Sequence, residues 1–196
     1  MKDKKSLYLL TLSMELSLPV IAWLVIFFVE KKKWFDIISI SPVAVQLLAG
    51  TGIGVLLAFA LNYLVRINYF KPVQELLGSL FKMFDIKLTD MIIIALLAGF
   101  CEEILFRVVL QQYWGIWLTS FVFILIHGYF NPKSVSISVF GVIMFLLSVV
   151  MGYLYQYMGF WAAVSMHAVY DVLALYLFKK YIFIGIKPVD NIKGIG

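Results

Sequence analysis

The chain has 196 residues, of which 63% are hydrophobic and 14% are charged, and its formal net charge is +5. A soluble globular domain is about 45–50% apolar, so this composition excludes a water-soluble globule and predicts an integral membrane protein. Apart from Arg107, the lysines and arginines lie in loops and termini, where a basic balance reports membrane topology, and we expect no nucleic-acid partner.

Six apolar stretches follow one another along the chain. They lie at residues 7–29, 43–65, 89–110, 115–130, 135–156 and 159–178. A spanning helix needs about 20 apolar residues, and the fourth stretch is the shortest of the six. Since no repeat or low-complexity linker separates them, we predict one all-α, polytopic membrane helix bundle with about six transmembrane helices.

An amphipathic segment separates the second stretch from the third. From Phe70 to Asp85, apolar residues recur at helical spacing and Pro72 suits a first helical turn. The pattern predicts either a helix lying in the membrane interface or a connecting helix that covers one end of the bundle. We therefore divide the chain into an N-terminal two-span region with this amphipathic helix (residues 1–87), a core (residues 88–178) and a basic tail (residues 179–196).

The positions of the basic residues predict a topology. With six spans, one side of the membrane receives the N-terminus, the 66–88 loop, Lys133 and the tail, whereas the other side receives only Lys31, Lys32 and Lys33. Because positive loops stay in the cytoplasm, both termini are predicted to be cytoplasmic. The small size and the Ile-, Phe- and Lys-rich composition favour a bacterial cell membrane.

Two adjacent glutamates and an arginine lie inside the third apolar stretch. An ionised group at the centre of a membrane helix costs roughly 2.5–3.5 kcal/mol on insertion scales, so such groups usually have a function. Glu103 and Arg107 are four residues apart and can form an ion pair on one helix face. Glu102 points about 100° away, toward a different neighbour, and is left available as a general base.

The later stretches carry the polar partners. Phe123 and His127 are four residues apart in the fourth stretch, and His167 and Asp171 are four apart in the sixth. At 1.5 Å per residue, Glu102, His127 and His167 all lie roughly 12–18 Å from the membrane surface at the 113–116 turn. We expect the three side chains to meet near the middle of a core about 30 Å thick.

Glu and His side chains that converge on one point can hold and deprotonate a water molecule for attack on an amide carbonyl, with His167 as a donor to the oxyanion. Glu102, His127 and His167 also make a plausible zinc set, so a zinc site and a metal-independent site are both predicted. Serine nucleophiles are weak candidates because Ser120, Ser148 and Ser165 lack a nucleophile-elbow context.

Two further residues of the apolar stretches invite a functional interpretation. Cys101 lies next to Glu102, but a small side chain packed between helices is the favoured interpretation, and a single cysteine excludes an internal disulfide. Glu15 lies in the first stretch, where it could line a cavity, pair with a polar group or form an interhelical hydrogen bond.

Three motifs in this order resemble those of a known family. Glu102-Glu103-x-x-x-Arg107, Phe123-x-x-x-His127 and His167-x-x-x-Asp171 resemble the CPBP family of CAAX-protease and bacteriocin-processing intramembrane proteases, also called the Abi family. The resemblance covers about residues 88–178. One departure is Val108, which stands where the family often has glycine after the motif arginine.

The resemblance implies an intramembrane endopeptidase that cleaves a membrane-associated peptide or protein within the lipid bilayer. It implies that Glu102 and His127 activate the water, that His167 and Asp171 bind the oxyanion or complete the site, and that Glu103, Arg107 and Phe123 support it. It also implies a role in bacteriocin self-immunity or peptide-signal processing. A proton-coupled transporter and a non-catalytic immunity or binding protein are the alternative functions.

Overall fold

The computed structural model describes residues 4–30 and 41–183, and within them every regular element is helical. This confirms the predicted all-α membrane helix bundle. The seven α-helices are α1 Lys4–Val25, α2 Val43–Val65, α3 Lys71–Met83, α4 Leu88–Glu103, α5 Gln111–Ile126, α6 Val135–Met158 and α7 Phe160–Phe178. Short π-helical turns follow α1, α4 and α7, and a 3-10 turn at Asn68–Phe70 precedes α3.

Four helical segments in the described part of the chain are long and apolar enough to cross a membrane. They are Lys4–Phe28, Val43–Val65, Val135–Met158 and Phe160–Ile182, which correspond to the first, second, fifth and sixth predicted spans. The third predicted span is divided between α4 and the π-helical turn Ile104–Leu110. The fourth, predicted for residues 115–130, already ends at Ile126. The expected six spans are thus four long helices and two interrupted ones.

Gly115 makes the turn between the third and fourth stretches. Its φ of 69° lies in the left-handed region and breaks α5 after its first turn. The first residues of α5 continue the rod of α4 and the π-helical turn, so residues 88–114 form one helical segment about 40 Å long. After Gly115 the chain reverses and runs back to His127. A glycine there avoids the cost of left-handed backbone for other residues.

The core consists of two apolar clusters that share the bundle interior. One cluster joins α2, α3, α6 and α7 with Met91 of α4, and the other joins the end of α1, the π-helical turn Ile104–Leu110, α5 and the start of α7. Helices α2 and α7 approach most closely at Gly50 and Gly54 of α2. A Cβ atom at Gly54 would lie 2.7 Å from the Met166 carbonyl oxygen, and one at Gly50 would overlap Ala162 and Ser165. Small residues of this kind are what allow membrane helices to pack backbone against backbone.

Polar contacts tie several chain segments together at one end of the bundle, which we call the basic end. Lys4 Nζ lies 2.7 Å from Asp90 Oδ2 at the start of α4. Lys179 donates to the carbonyl oxygen of Ile86, and Ser136 donates to that of Tyr69 at 2.6 Å. The start of α1, the 66–88 loop, the start of α6 and the end of α7 therefore lie at one end, as the charge pattern predicted. The three basic residues predicted for the opposite side, Lys31, Lys32 and Lys33, lie outside the described residues.

Helix α3 is the predicted amphipathic helix and packs across the basic end. Its Val73 and Phe81 side chains are buried, and Phe81 stacks on Phe178 at the end of α7 with ring centroids 5.8 Å apart. Leu76 and Leu80 are exposed on its other side. This arrangement fits a helix that covers the bundle end, and its exposed leucines also suit contact with lipid.

Candidate active site

The Glu103 carboxylate is the centre of a fully buried polar network. Arg107 Nε donates to Glu103 Oε2 at 2.9 Å, which is the ion pair expected from their four-residue spacing. Glu103 Oε1 lies 2.9 Å from His167 Nδ1 on α7. The side chains of Glu103 and Arg107 are both 0% exposed, so neither charge is screened by solvent. One carboxylate thus fixes the orientation of both the Arg107 guanidinium and the His167 ring.

Arg107 extends this network to α5 and α6. Its Nη2 donates to Ser148 Oγ at 2.7 Å, and its Nη1 donates to Ser120 Oγ at 3.3 Å. A parallel contact is made by Gln111, whose Nε2 donates to the Gly152 carbonyl oxygen at 3.0 Å. Two of the three serines that were weak candidates as nucleophiles, Ser120 and Ser148, are therefore partners of a buried guanidinium, whereas Ser165 donates to the Ala162 carbonyl oxygen at 3.3 Å. Sequence spacing could not show this, because these residues are far apart in the chain.

Glu102 faces away from Glu103 and toward both histidines. Its Oε1 lies 3.8 Å from His127 Nε2, and its Oε2 lies 3.9 Å from His167 Nε2. These separations are too long for direct hydrogen bonds. Oε2 is buried and has no hydrogen-bond partner among the described residues. The structure therefore brings the three predicted residues together around a gap about as wide as one water molecule.

The other nitrogen of each histidine ring is occupied by an acceptor. His127 Nδ1 lies 2.6 Å from the Phe123 carbonyl oxygen, which can only accept, so Nδ1 carries the hydrogen. His167 Nδ1 likewise faces the carboxylate of Glu103. We assign these positions from the hydrogen-bond partners. Both Nε2 atoms are consequently the ones that face the cavity, and in neutral His127 this atom is a proton acceptor.

Asp171 and Phe123 complete the set of predicted residues. Asp171 Oδ2 lies 3.5 Å from His167 Nε2, and its side chain is 31% exposed. The Phe123 ring contacts both histidines, with its centroid 4.4 Å from that of His127 and 6.0 Å from that of His167. It also packs edge-on against Phe106. Phe123 therefore gives both imidazoles an apolar surface to pack on.

A cavity of about 120 Å³ joins these side chains and continues into a larger apolar one. Glu102, His127, His167 and Asp171 line the smaller cavity. The neighbouring cavity, about 220 Å³, shares Asp171 with it and runs between α2, α3 and α7 toward the basic end. Such a polar pocket joined to an apolar groove is typical of a site that binds a mostly apolar ligand.

Glu15 and Cys101 lie beside this site. The Glu15 carboxylate is within electrostatic range of Glu102 and both histidines, and its Oε2 is buried without a partner among the described residues. It does not line either cavity. Cys101 is a buried free thiol packed between helices, as the favoured interpretation expected.

The zinc prediction depends on how the donors are placed. The two histidines and the carboxylate are ligand types that zinc accepts. In the described part of the chain, however, no group of three His, Cys, Asp or Glu side chains is arranged so that it could hold a metal ion. The residues as placed do not fit a zinc site, and the mechanism below uses side chains and water only.

Comparison with known proteins finds one similar family. Residues 85–173 match the family model described as Rce1-like, Type II CAAX prenyl endopeptidase Rce1-like. Over these residues, less than half of the chain, the sequence is similar to the Rce1-like family. This confirms the resemblance that the three motifs carry, and the Rce1-like segment contains all seven motif residues from Glu102 to Asp171. No curated protein and no solved structure matches the chain.

Proposed function

We propose that this protein is an intramembrane endopeptidase that hydrolyses a peptide bond with a water molecule held by Glu102 and His127. The observation that carries the proposal is the 3.8 Å separation between Glu102 Oε1 and His127 Nε2. Two acceptors at this separation can each accept one hydrogen of the same water at ordinary hydrogen-bond distance. The oxygen of that water then presents a lone pair to the substrate carbonyl.

The proposed reaction balances with these side chains. Glu102 takes a proton as the water oxygen bonds to the carbonyl carbon, and a tetrahedral oxyanion forms. His167, with Nδ1–H on Glu103 and a second hydrogen on Nε2, donates to that oxyanion. The C–N bond then breaks, and the proton held by Glu102 passes to the leaving amine nitrogen. Asp171, 3.5 Å from His167 Nε2, balances the charge of the imidazolium.

The substrate is proposed to be a membrane-associated peptide or protein. The family description names a CAAX prenyl endopeptidase, which makes a prenylated CAAX peptide one candidate. A bacterial chain would instead act on an unprenylated apolar peptide, in bacteriocin self-immunity or peptide-signal processing. The apolar cavity beside Asp171 suits the apolar part of either substrate.

The test uses the full-length protein in proteoliposomes with two sets of quenched fluorescent peptides, one prenylated with a CAAX end and one unprenylated and apolar. We expect Glu102→Gln and His127→Asn to lower cleavage by at least about 100-fold, because glutamine cannot take a proton from the water and asparagine lacks the imidazole nitrogen that accepts its other hydrogen. Glu75→Gln, an exposed change on α3, is the matched control and should cleave normally. Peptide binding without cleavage by the unmodified protein would favour the non-catalytic binding function.

A further inference from the structure

A tyrosine outside the three motifs lies at the junction of the two cavities. Tyr129 follows α5 by three residues and lines both the polar cavity with Glu102 and the apolar cavity toward the basic end. A substrate that fills both cavities would pass this side chain. Its position is therefore that of a residue that contacts the peptide near the scissile bond.

The backbone around Tyr129 is held in one place by two glycines. Gly128 has a φ of 74°, which turns the chain sharply after His127. On α6, Gly141 packs so closely that a Cβ atom there would lie 2.9 Å from the Tyr129 carbonyl oxygen. Left-handed backbone and close helix contact are both conditions that glycine meets at low cost. The two glycines thus fix the backbone position of Tyr129.

The ring of Tyr129 is also fixed. It lies parallel to the His127 ring, within 2°, with centroids 6.3 Å apart, and it meets the Phe140 ring edge-on at 5.3 Å. A tyrosine has only two side-chain torsions, so these contacts leave the hydroxyl little freedom. Tyr129 lines the polar cavity together with Glu102 and Asp171, so its side chain borders the proposed reaction site.

The Tyr129 hydroxyl has no hydrogen-bond partner among the residues that the structure describes. Tyr170 lines the same cavities, but its hydroxyl donates to Met144 Sδ at 3.4 Å. A phenol has an ordinary pKa near 10 and is a hydrogen-bond donor near neutral pH. Tyr129 therefore offers an uncommitted donor beside the proposed water.

We propose that Tyr129 is a catalytic residue that donates its phenolic O–H to the carbonyl oxygen of the scissile peptide bond. This inference depends on the proposed peptidase function. As water adds to the carbonyl carbon, the C=O π electrons move to oxygen, and the Tyr129 hydrogen bond to that oxygen strengthens. The O–H bond stays intact, and no proton leaves Tyr129. With His167 it makes a two-donor oxyanion site.

The test is Tyr129→Phe, which removes only the hydroxyl, assayed with the quenched peptide that the unmodified protein cleaves. Loss of one oxyanion donor typically lowers kcat by about 10²–10³-fold. We expect a fall of about 100-fold in kcat with KM within about twofold, because the hydrogen bond matters most in the transition state. The thermal unfolding temperature should not change, since the hydroxyl bonds to no group in the described part of the chain.

The matched control is Tyr153→Phe, the same change at an exposed tyrosine of α6, which should leave kcat and KM unchanged. Cleavage by Tyr129→Phe at the unmodified rate would overturn the inference and leave the proposed function standing. A lowered kcat accompanied by a lower unfolding temperature would show a structural role and would also overturn it. If the unmodified protein cleaves none of the peptides, the proposed function fails and the inference fails with it.

Discussion

Glu103 Oε1 lies 2.9 Å from His167 Nδ1, while the neighbouring glutamate lies 3.9 Å from the other nitrogen of the same ring. Two consecutive residues of one helix therefore face the two different nitrogens of one imidazole. Glu103 fixes the ring and its hydrogen, and Glu102 is left free to act in the cavity. Their adjacency makes this division of roles possible, because successive helical side chains point about 100° apart.

Replacing Glu103 with glutamine should lower activity although Glu102 and His127, which line the cavity, are unchanged. The amide keeps the shape but removes the negative charge that holds His167 and Arg107. Partners that orient metal-ligating histidines are typically worth about 10–100-fold in activity, and we expect a fall in kcat of similar size for this histidine partner. Steady-state kinetics with the cleavable peptide measures it, with Glu75→Gln as the control. An unchanged kcat would mean that His167 needs no anchor.

Replacing Arg107 with methionine should destabilise the fold strongly. Glu103 would lose its ion-pair partner at a site with no solvent, and breaking a buried pair on one side costs about 3–5 kcal/mol. Reversible unfolding in mixed micelles measures the free energy. Arg66→Met, a change at an exposed arginine on the basic end, should cost far less.

A double variant tests how much the ion pair between Glu103 and Arg107 contributes to stability. Combining Glu103→Leu with Arg107→Met removes both charges and should recover part of the lost stability, since no uncompensated ion remains. A double variant less stable than Arg107→Met alone would show that the serine contacts, and not the ion pair, dominate the network.

The close contact between α2 and α7 gives a prediction with an internal control. Gly54→Ala places a Cβ atom 2.7 Å from the Met166 carbonyl oxygen, so α2 and α7 must separate. We expect a loss of about 1–3 kcal/mol from overpacking. Gly52→Ala, on the same helix, has no atom within 4 Å of the added carbon and should be neutral or slightly stabilising. Equal effects of the two changes would contradict the backbone contact.

Cysteine labelling tests the orientation in the membrane. In a Cys101→Ala background, Lys133→Cys lies at the basic end and Trp114→Cys lies at the opposite end, beside the Gly115 turn. Both positions are exposed. With both termini cytoplasmic, a membrane-impermeant maleimide should label Trp114→Cys in whole cells and Lys133→Cys only after lysis. The reverse pattern would invert the predicted topology.

The sequence predicts the contacts that helical periodicity determines and misses those that depend on packing. The four-residue spacing correctly pairs Glu103 with Arg107, and comparable depth correctly brings Glu102 near both histidines. The π-helical turn Ile104–Leu110 has no pattern of its own in an apolar run. Sequence reasoning also missed the serines that contact Arg107, because helix packing decides which distant residues meet.

Tyr129 was missed for a related reason. It belongs to no charged pair and no four-residue spacing, and a tyrosine near the end of an apolar stretch usually belongs to an interfacial aromatic belt. The sequence does contain one indication, which is Gly128 between His127 and Tyr129. A glycine at this position can adopt the left-handed backbone of a sharp turn. Only the position of α6 shows that this turn folds inward.

The early end of α5 has a consequence for the surrounding lipid. From Gly115 to His127 the returning helix spans only about 18 Å, well short of a bilayer core of about 30 Å. After His127 the peptide groups no longer lie in a helix, although Gly128 N–H donates to the Leu125 carbonyl oxygen and Asn131 N–H donates to Ser138 Oγ. We expect water and headgroups to hydrate the remaining groups and the bilayer to thin locally. A substrate helix beside this thinned region would lose part of its hydrocarbon cover, which lowers the cost of unwinding it for cleavage.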